Sequence, residues 1–218
     1  IPKLINRLYR GQGIQAQSLF IPHCSGFDPA FKSEMGDYDP ARAKALLDLY
    51  GYKDVDGDGF REMPDGSPLK VEIATQPQQF NRQFDEMWQK DFAAVGIRMT
   101  VYNGQWSEQL KAAYAGKLQM WTLGGSAASP DGLDTLQSYY SQQIGTGQNF
   151  ARFRLPEMDR IYDQVAAMPD GPERDALFLR AKVIGAAYMP YKGLLSRISN
   201  VLYHQHLVGY RRPLFWNE

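Results

Sequence analysis

The centre of the chain alternates between the hydrophobic period of a β-strand and that of an α-helix. Residues 69–74 alternate apolar and polar side chains, and residues 97–101 do the same. Between them, residues 79–95 place apolar side chains on one helical face, namely Phe80, Phe84, Met87, Trp88 and Val95. A strand, a helix and a strand in this order predict a βαβ unit with parallel strands and a right-handed crossover.

Helix signals continue on both sides of this unit. Asp39 and Pro40 predict a helix start, and Gly51 predicts its end. The apolar face of this helix is predicted to consist of Ala41, Ala45, Leu46 and Leu49. Further helices are predicted at residues 2–9, 106–115, 131–141, 156–167 and 172–188, and further strands at residues 118–123 and 190–204. Alternating strands and helices predict an α/β lobe around a mixed, partly parallel sheet flanked by helices.

The overall charge balance argues against several classes of partner. The 218 residues include 24 basic and 24 acidic side chains, so nothing favours nucleic acid or an anionic membrane surface. No apolar run approaches the roughly 20 residues of a membrane helix, and the first residues of the chain lack the basic start and apolar core of a signal segment. The single cysteine, Cys24, has no partner for an internal disulfide.

One acidic motif matches the opening of a calcium-binding loop. Asp54, Asp56 and Asp58 alternate and are followed by Gly59, and Asp65 stands at the twelfth position of the loop. A calcium loop prefers glutamate at that twelfth position, because aspartate is shorter. Two interpretations stay open: a calcium site, or a tight turn leading into the next strand. We favour the turn and expect no cofactor.

Catalytic motifs are weak in this sequence. His204 and His206 lie two residues apart, and on a strand they would face the same side as a pair of metal ligands, but no cluster of further ligands stands nearby. Ser126 lies in a glycine-rich segment that lacks the nucleophile motif of α/β hydrolases. Cys24 directly follows His23, and neighbours in an extended chain point in opposite directions. We therefore expect no catalytic residues.

A loop of small residues follows the third predicted strand. Residues 124–131 (GGSAASPD) stand at its carboxyl end, which is where open α/β sheets bind ligands. Glycine and alanine let the backbone approach a ligand closely. An ordinary turn between a strand and a helix explains the same composition equally well, so both interpretations stay open.

Four segments together resemble family 5 of the bacterial solute-binding proteins, which includes oligopeptide- and dipeptide-binding proteins. They are YDPARAKALLDLYGY with DVDGDGFRE (38–62), LKVEIATQ through GIRMTVYNGQW (69–106), LKAAYAGKLQMWTLGGSAASPD (110–131), and NFARFRLPEMDRIYDQ with PERDALFLRAKVIGAAYMPY (149–191). Their order and spacing both fit the family. The resemblance implies a lobe of the type II periplasmic-binding-protein fold and no enzymatic activity.

The resemblance also implies a domain organisation and a set of partners. Family members hold a solute between two lobes, and this chain is similar to the carboxyl-terminal lobe. Residues 38–191 would form that lobe, residues 1–37 would lead into it, and residues 192–218 would return toward the other lobe. The chain would then be a fragment of an extracytoplasmic protein that binds a peptide or small molecule and serves the permease subunits of an ABC importer.

Ligand contacts follow from the resemblance residue by residue. Trp106 is similar to a tryptophan that lines the ligand cleft. The loop beside the ligand corresponds to a run of small and polar residues, namely Thr122, Gly124, Gly125, Ser126, Ala127 and Ala128. Peptide-binding members carry an aspartate at the position of Ala128, where it pairs with the free amine of the peptide. Asp131, three residues further, is the nearest substitute. The alternatives are a calcium-stabilised extracellular domain and, less favoured, an α/β hydrolase.

Overall fold

The computed structural model describes residues 1–34 and 36–211. Its elements, in chain order, are α1 (Pro2–Arg7), β1 (Gly13–Gln15), α2 (Pro40–Leu49), β2 (Lys70–Thr75), α3 (Gln79–Ala93), β3 (Arg98–Asn103), α4 (Trp106–Tyr114), β4 (Met120–Trp121), α5 (Leu133–Leu136), two 3₁₀ turns (Gln137–Tyr139 and Ser141–Gln143), α6 (Pro156–Ala167), α7 (Pro172–Tyr188) and β5 (Leu195–Arg197). None of the helices in this described part of the chain has the length and apolar character needed to cross a membrane.

The chain divides into two compact units. Unit 1 comprises Ile1–Gly36 and Gly125–Glu218, and unit 2 comprises Asp37–Gly124. The lobe predicted over residues 38–191 includes all of unit 2 except Asp37, and part of unit 1. Its boundaries stay a prediction, and the segment predicted over residues 192–218 extends beyond the described residues.

Unit 2 contains a parallel three-stranded sheet with β2 in the centre. The strand order is β3-β2-β4, and both pairings are parallel. The β2–β3 register runs from Lys70 opposite Arg98 to Thr75 opposite Asn103, with α3 as the crossover. This confirms the predicted βαβ unit. All three strands therefore end along the same edge of the sheet.

Helix α2 forms where the sequence predicts it, but its apolar face is not covered. The side chain of Asp39 caps the helix by accepting a hydrogen bond of 2.8 Å from the backbone N–H of Arg42. No residue of α2 is buried, and Leu49 is 75% exposed. Sequence periodicity determines which side chains share a helix face. Whether another element covers that face depends on tertiary packing.

The core of unit 1 lies between α6, α7 and the turns around α5. Its buried side chains are Phe20, Leu136, Tyr139, Met158, Ile161, Val165, Phe178, Ala181 and Ile184. Burial of a large apolar side chain contributes about 1.5–3 kcal/mol, so this cluster supplies most of the stabilisation of the unit. The antiparallel strands β1 and β5 form a separate two-stranded sheet, with Ile14 opposite Ser196.

The prediction of one continuous helix over residues 131–141 is wrong in its length. The chain forms the four-residue helix α5 and then two 3₁₀ turns, with an extended backbone at Tyr140. Side chains from other elements bind the backbone here. Asn149 donates to the carbonyl oxygen of Tyr140 over 2.9 Å, and the carboxylate of Asp159 accepts from the N–H of Ser141 over 2.8 Å. These bonds replace the intrahelical ones.

Two predicted strands are shorter than expected. Residues 118–123 form a strand only at Met120–Trp121, and residues 190–204 only at Leu195–Arg197. The partner of this last strand is β1 at Gly13–Gln15, where the sequence predicts no strand. Strand length depends on the partner strand, because each residue needs a neighbour for its backbone hydrogen bonds.

A buried arginine joins three segments of unit 1. Arg174 is 5% exposed, and its Nε donates to the carbonyl oxygen of Val165 at the end of α6. Its Nη1 bonds Asp170 over 2.7 Å, and its Nη2 lies 2.9 and 2.8 Å from the two carboxylate oxygens of Asp131. The guanidinium group therefore fixes the start of α7 against α6 and the turn before α5.

We predict that Arg174→Ala lowers the free energy of unfolding by about 1.5–3 kcal/mol, because it removes the charge-assisted hydrogen bonds of the buried guanidinium group to Asp131 and to the carbonyl oxygen of Val165. Urea denaturation of the chain measures this loss. The matched control is Arg180→Ala, which removes an exposed ion pair with Glu157 and should cost less than about 1 kcal/mol. Equal losses in the two variants would contradict the structural role of Arg174.

Candidate functional site

The three parallel strands of unit 2 end at a common edge, which we name the carboxyl edge. It consists of the strand ends and the residues that follow them, namely Thr75–Gln78, Asn103–Trp106 and Trp121–Gly124. In open α/β sheets, ligands bind outside the carboxyl ends of the strands. The carboxyl edge is therefore the candidate binding site within unit 2.

Two tryptophans form an aromatic surface at this edge. Trp106 is the first residue of α4 and is 42% exposed. Its ring centroid lies 5.1 Å from that of Trp121, and the ring planes are inclined by 31°. A capping box fixes the start of α4, because Gln105 and Glu108 each bond the other's backbone N–H. The position of the Trp106 indole is thus set by the helix end on which it stands.

A buried polar network lies behind the two indoles. Gln109 is fully buried, and its Oε1 accepts a hydrogen bond of 3.2 Å from the indole N–H of Trp121. Its amide nitrogen donates to the carbonyl oxygen of Thr75. The hydroxyl of Thr75 lies 2.9 Å from the carboxylate of Asp85 and 3.2 Å from the side-chain oxygen of Asn103. The network therefore connects the ends of all three strands.

Asp85 is the acidic residue of this network. The residue is 6% exposed, and its Oδ1 has no hydrogen-bond partner among the described residues. Burial raises the pKa of the Asp85 carboxyl above its ordinary value, and the hydrogen bond from Thr75 opposes this only in part. A buried carboxylate with an unsatisfied oxygen is costly, so folding shifts the Asp85 carboxyl toward its protonated form relative to the unfolded chain.

The loop predicted to contact the ligand crosses the boundary between the two units. Thr122 and Gly124 belong to unit 2, whereas the segment from Gly125 to Asp131 belongs to unit 1. Within this loop, Ala127 is half-buried, and the exposed positions are Thr122, Gly124, Gly125, Ser126 and Ala128. A side chain built on Gly124 or Gly125 would meet nothing within 4 Å. The backbone is open there, and the ligand role of these residues and of Trp106 stays a prediction.

Asp131 is already engaged within unit 1. Besides its ion pair with Arg174, its carboxylate accepts hydrogen bonds from the N–H of Leu133 over 2.9 Å and from the hydroxyl of Ser25 over 3.3 Å. Burial by itself would raise the pKa of Asp131, but the hydrogen bonds from Arg174 and Leu133 outweigh it and hold the pKa below the ordinary value. Asp131 therefore carries a charge that Arg174 neutralises.

Sequence reasoning missed Trp121, Gln109, Thr75 and Asn103. Three of them are the last residues of the three strands, and Gln109 lies one helical turn after Trp106. A signal was available in the sequence, because a polar residue on the inner face of an amphipathic helix needs a buried hydrogen-bond partner. Finding that partner required the sheet register, which places the three strand ends side by side.

The acidic motif forms a compact turn in unit 2. Asp54, Asp56 and Asp58 each offer a carboxylate oxygen, and these oxygens lie within 4.8 Å of one another. Asp54 accepts hydrogen bonds from the backbone N–H groups of Gly57 and Gly59, at 2.8 and 3.0 Å. The three carboxylates are therefore gathered as a calcium loop would require.

Two further carboxylate contacts bear on the calcium interpretation. Asp58 forms an exposed ion pair with Arg98, 2.6 Å long. Asp65, the predicted twelfth ligand, is not in the group of three, and instead accepts hydrogen bonds from the backbone N–H and the hydroxyl of Ser67. These bonds lower its pKa. The turn stays the favoured interpretation, and a calcium site at Asp54, Asp56, Asp58 and Asp65 stays the alternative hypothesis.

The histidine pair does not lie on a strand. His204 and His206 are exposed in a turn, where the N–H of Leu207 donates to the carbonyl oxygen of His204 over 2.9 Å. Their ring centroids are 4.2 Å apart, and no group of three metal-ligating side chains in residues 1–34 and 36–211 includes them. Cys24 is buried, and burial raises the pKa of its thiol.

Comparisons with known proteins give the family. The model of the bacterial extracellular solute-binding proteins, family 5 middle region, matches residues 2–147, which is more than half of the chain. The chain belongs to family 5. This agrees with the resemblance found in the sequence and with the type II periplasmic-binding-protein fold of the structural neighbours.

Family 5 relatives are similar over most of this chain but are much longer. The dipeptide-binding protein of Escherichia coli is 27% identical over 184 residues, which cover 83% of this chain and 32% of that protein. AppA of Bacillus subtilis, solved with a nonapeptide, has a TM-score of 0.79 at 19% identity and matches 89% of this chain and 39% of its own. The chain thus spans about a third of the length of the curated relatives it matches.

A third comparison, with another solved structure, concerns another ligand. The oligopeptide-binding protein of Thermotoga maritima, solved with bound mannohexaose, has a TM-score of 0.76 at 23% identity. The match covers 89% of this chain and 38% of that one. Proteins with this fold have therefore been solved with chemically different ligands.

We predict that Asp85→Asn raises the melting temperature near neutral pH and has little effect near pH 4. The folded pKa of Asp85 is raised, so the folded state binds more protons than the unfolded state, and stability falls as the pH rises above the unfolded pKa. Asparagine removes this loss because it stays neutral. The measurement is the melting temperature of both proteins from about pH 4 to pH 8, with exposed Asp37→Asn as the control variant. An unchanged difference across this range would contradict the prediction.

We predict that millimolar calcium and a chelator give the same melting temperature, because Asp65 is bound to Ser67 and the cluster lacks a bidentate twelfth ligand. Scanning calorimetry under both conditions measures the difference. A calcium-dependent rise that disappears in Asp54→Asn would establish the calcium interpretation instead.

Proposed function

We propose that this chain provides part of the ligand-binding surface of an extracytoplasmic solute-binding protein that serves an ABC importer. The observation that carries the proposal is the carboxyl edge, where Trp106 and Trp121 form a partly exposed aromatic surface in front of buried Gln109. Binding sites for small ligands combine aromatic surface with a few fixed polar groups, which is the combination found here. Membership of family 5 supports the same function.

The proposed ligand is a peptide or a related small polar solute. The relatives named above include a dipeptide-binding protein, a protein solved with a nonapeptide and one solved with mannohexaose. In this chain, Ala128 stands where the family resemblance places an amine-pairing aspartate, and the carboxylate of Asp131 is neutralised by Arg174. A cationic amine therefore lacks both of the partners that the sequence suggested.

The proposed role is binding without catalysis. In the described part of the chain, no hydrogen bond joins a histidine side chain to a serine or cysteine side chain, and the relatives are named as binding proteins. Location outside the cytoplasm and docking to permease subunits belong to the same proposal, because importers of this type receive their solute from such a protein.

The chain alone is proposed to offer only part of the binding surface. It spans about a third of its relatives' length, and we infer that the remaining part of a longer protein supplies the other wall around the solute. Binding sites that surround a ligand on most sides bury 70–90% of its surface or more. A single wall buries less, so the 218-residue chain should bind more weakly than an intact protein.

We predict that at least one ligand among dipeptides, a nonapeptide and neutral oligosaccharides raises the melting temperature of the chain. Binding to the folded state stabilises it by RT ln(1 + [L]/Kd), so the rise should grow with the logarithm of ligand concentration. Thermal melts with each ligand at millimolar concentration measure this.

Trp106→Ala should abolish the rise, because it removes the exposed half of the aromatic surface. The matched control is Tyr50→Ala, which removes a 69% exposed aromatic side chain at the end of α2. The absence of any rise with every ligand would contradict the proposed function, and an equal loss in both variants would contradict the assignment to the carboxyl edge.

A further inference from the structure

Resting on the proposed function, we propose that the carboxyl edge binds a neutral oligosaccharide. The inference comes from the complete absence of charged residues along this edge, combined with its two indoles and its amide side chains. It names the class of solute for the site described above.

The twelve residues of the carboxyl edge include no acidic or basic side chain. They are Thr75–Gln78, Asn103–Trp106 and Trp121–Gly124. Charged residues make up 22% of the chain, so an average stretch of this size would contain about two or three. The polar groups present are instead amides and hydroxyls, namely those of Thr75, Gln76, Gln78, Asn103, Gln105 and Thr122.

Two acidic residues near this edge, Glu108 and Asp85, already accept hydrogen bonds within unit 2. Glu108 lies in the first turn of α4, where its carboxylate accepts from the backbone N–H of Gln105 as part of the capping box. Asp85 is 6% exposed, and its hydrogen-bonded oxygen is held by Thr75. The twelve residues of the carboxyl edge therefore offer a ligand no charged group of their own.

The opposite edge of the same sheet shows the contrast. Strands β2 and β3 begin with Lys70 and Arg98, and Arg98 pairs with Asp58 over 2.6 Å. A second ion pair joins Arg61 to Asp48, and the backbone N–H of Arg61 bonds the carbonyl oxygen of Gly96 just before β3. Charges are therefore common in unit 2 and are missing specifically at its carboxyl edge.

Neutral sugars match this surface better than peptides with free ends. A pyranose ring has a flat C–H face that packs on an indole, and its hydroxyls donate and accept hydrogen bonds as amide side chains do. A peptide with free ends carries an ammonium and a carboxylate, and a desolvated charge without a partner costs several kcal/mol. The carboxyl edge offers no such partner, so its composition favours the uncharged ligand.

The test compares three kinds of probe on the 218-residue chain by tryptophan fluorescence and calorimetric titration. The probes are neutral hexasaccharides (maltohexaose, cellohexaose and mannohexaose), tetra-alanine with free ends, and tetra-alanine that is acetylated and amidated. We expect at least one hexasaccharide to bind at least about tenfold more tightly than both peptides, a difference of about 1.4 kcal/mol.

Two variants locate the binding. Trp106→Ala should weaken hexasaccharide binding about tenfold, as expected for an aromatic anchor, and Trp106→Phe should retain part of the affinity because it keeps a ring. Tyr50→Ala should bind as the unchanged protein does. Circular dichroism of each variant checks the fold, so that a loss of binding is not confused with unfolding.

The outcomes separate this inference from the proposed function. If tetra-alanine with free ends, or its capped form, binds as tightly as every hexasaccharide, the inference is overturned while the proposed function stands. If no hexasaccharide binds, the inference is overturned, and the proposed function is then decided by the thermal melts with dipeptides and the nonapeptide. Hexasaccharide binding that Trp106→Ala leaves unchanged would overturn the assignment to the carboxyl edge.

Discussion

The parallel pairing of β2 with both β3 and β4 is the constraint on which the rest of unit 2 depends. Parallel strands end at one edge, so the pairing brings the end of each strand beside the others although they are far apart in sequence. Gln109 then connects the edge, because its side chain bonds both Thr75 and Trp121. The register of the strands and the buried side-chain amide of Gln109 therefore fix the position of the aromatic surface formed by Trp106 and Trp121.

Buried polar groups serve different purposes in the two units. In unit 1, Arg174 satisfies its guanidinium with a carbonyl and two carboxylates, and its surroundings hold the pKa of Asp131 below the ordinary value. In unit 2, burial raises the pKa of Asp85 and one of its oxygens has no partner in the described structure. The ion pairs of Arg174 hold segments of unit 1 together. In unit 2, burial shifts the Asp85 carboxyl toward its neutral form, behind an edge whose own residues carry no charge.

The functional interpretation combines family membership with the chemistry of this particular chain. Family 5 is established by the match over residues 2–147, and proteins with this fold have been solved with a nonapeptide and with mannohexaose. The discriminating information therefore lies in the side chains of the site. Here Ala128 carries no charge and the carboxyl edge carries none, which together favour an uncharged solute over one with charged ends.

The sequence by itself determined the elements that depend on local patterns. The helix at Pro40–Leu49 and the strands of the βαβ unit follow from caps and hydrophobic periods, which act over a few residues. Tertiary structure alone decided that β1 pairs with β5, that the apolar side of α2 stays open, and that Gln109 meets Trp121. The physical reason is that these contacts join residues distant in sequence, and no local preference specifies which partner a strand edge, a helix face or a buried amide finds.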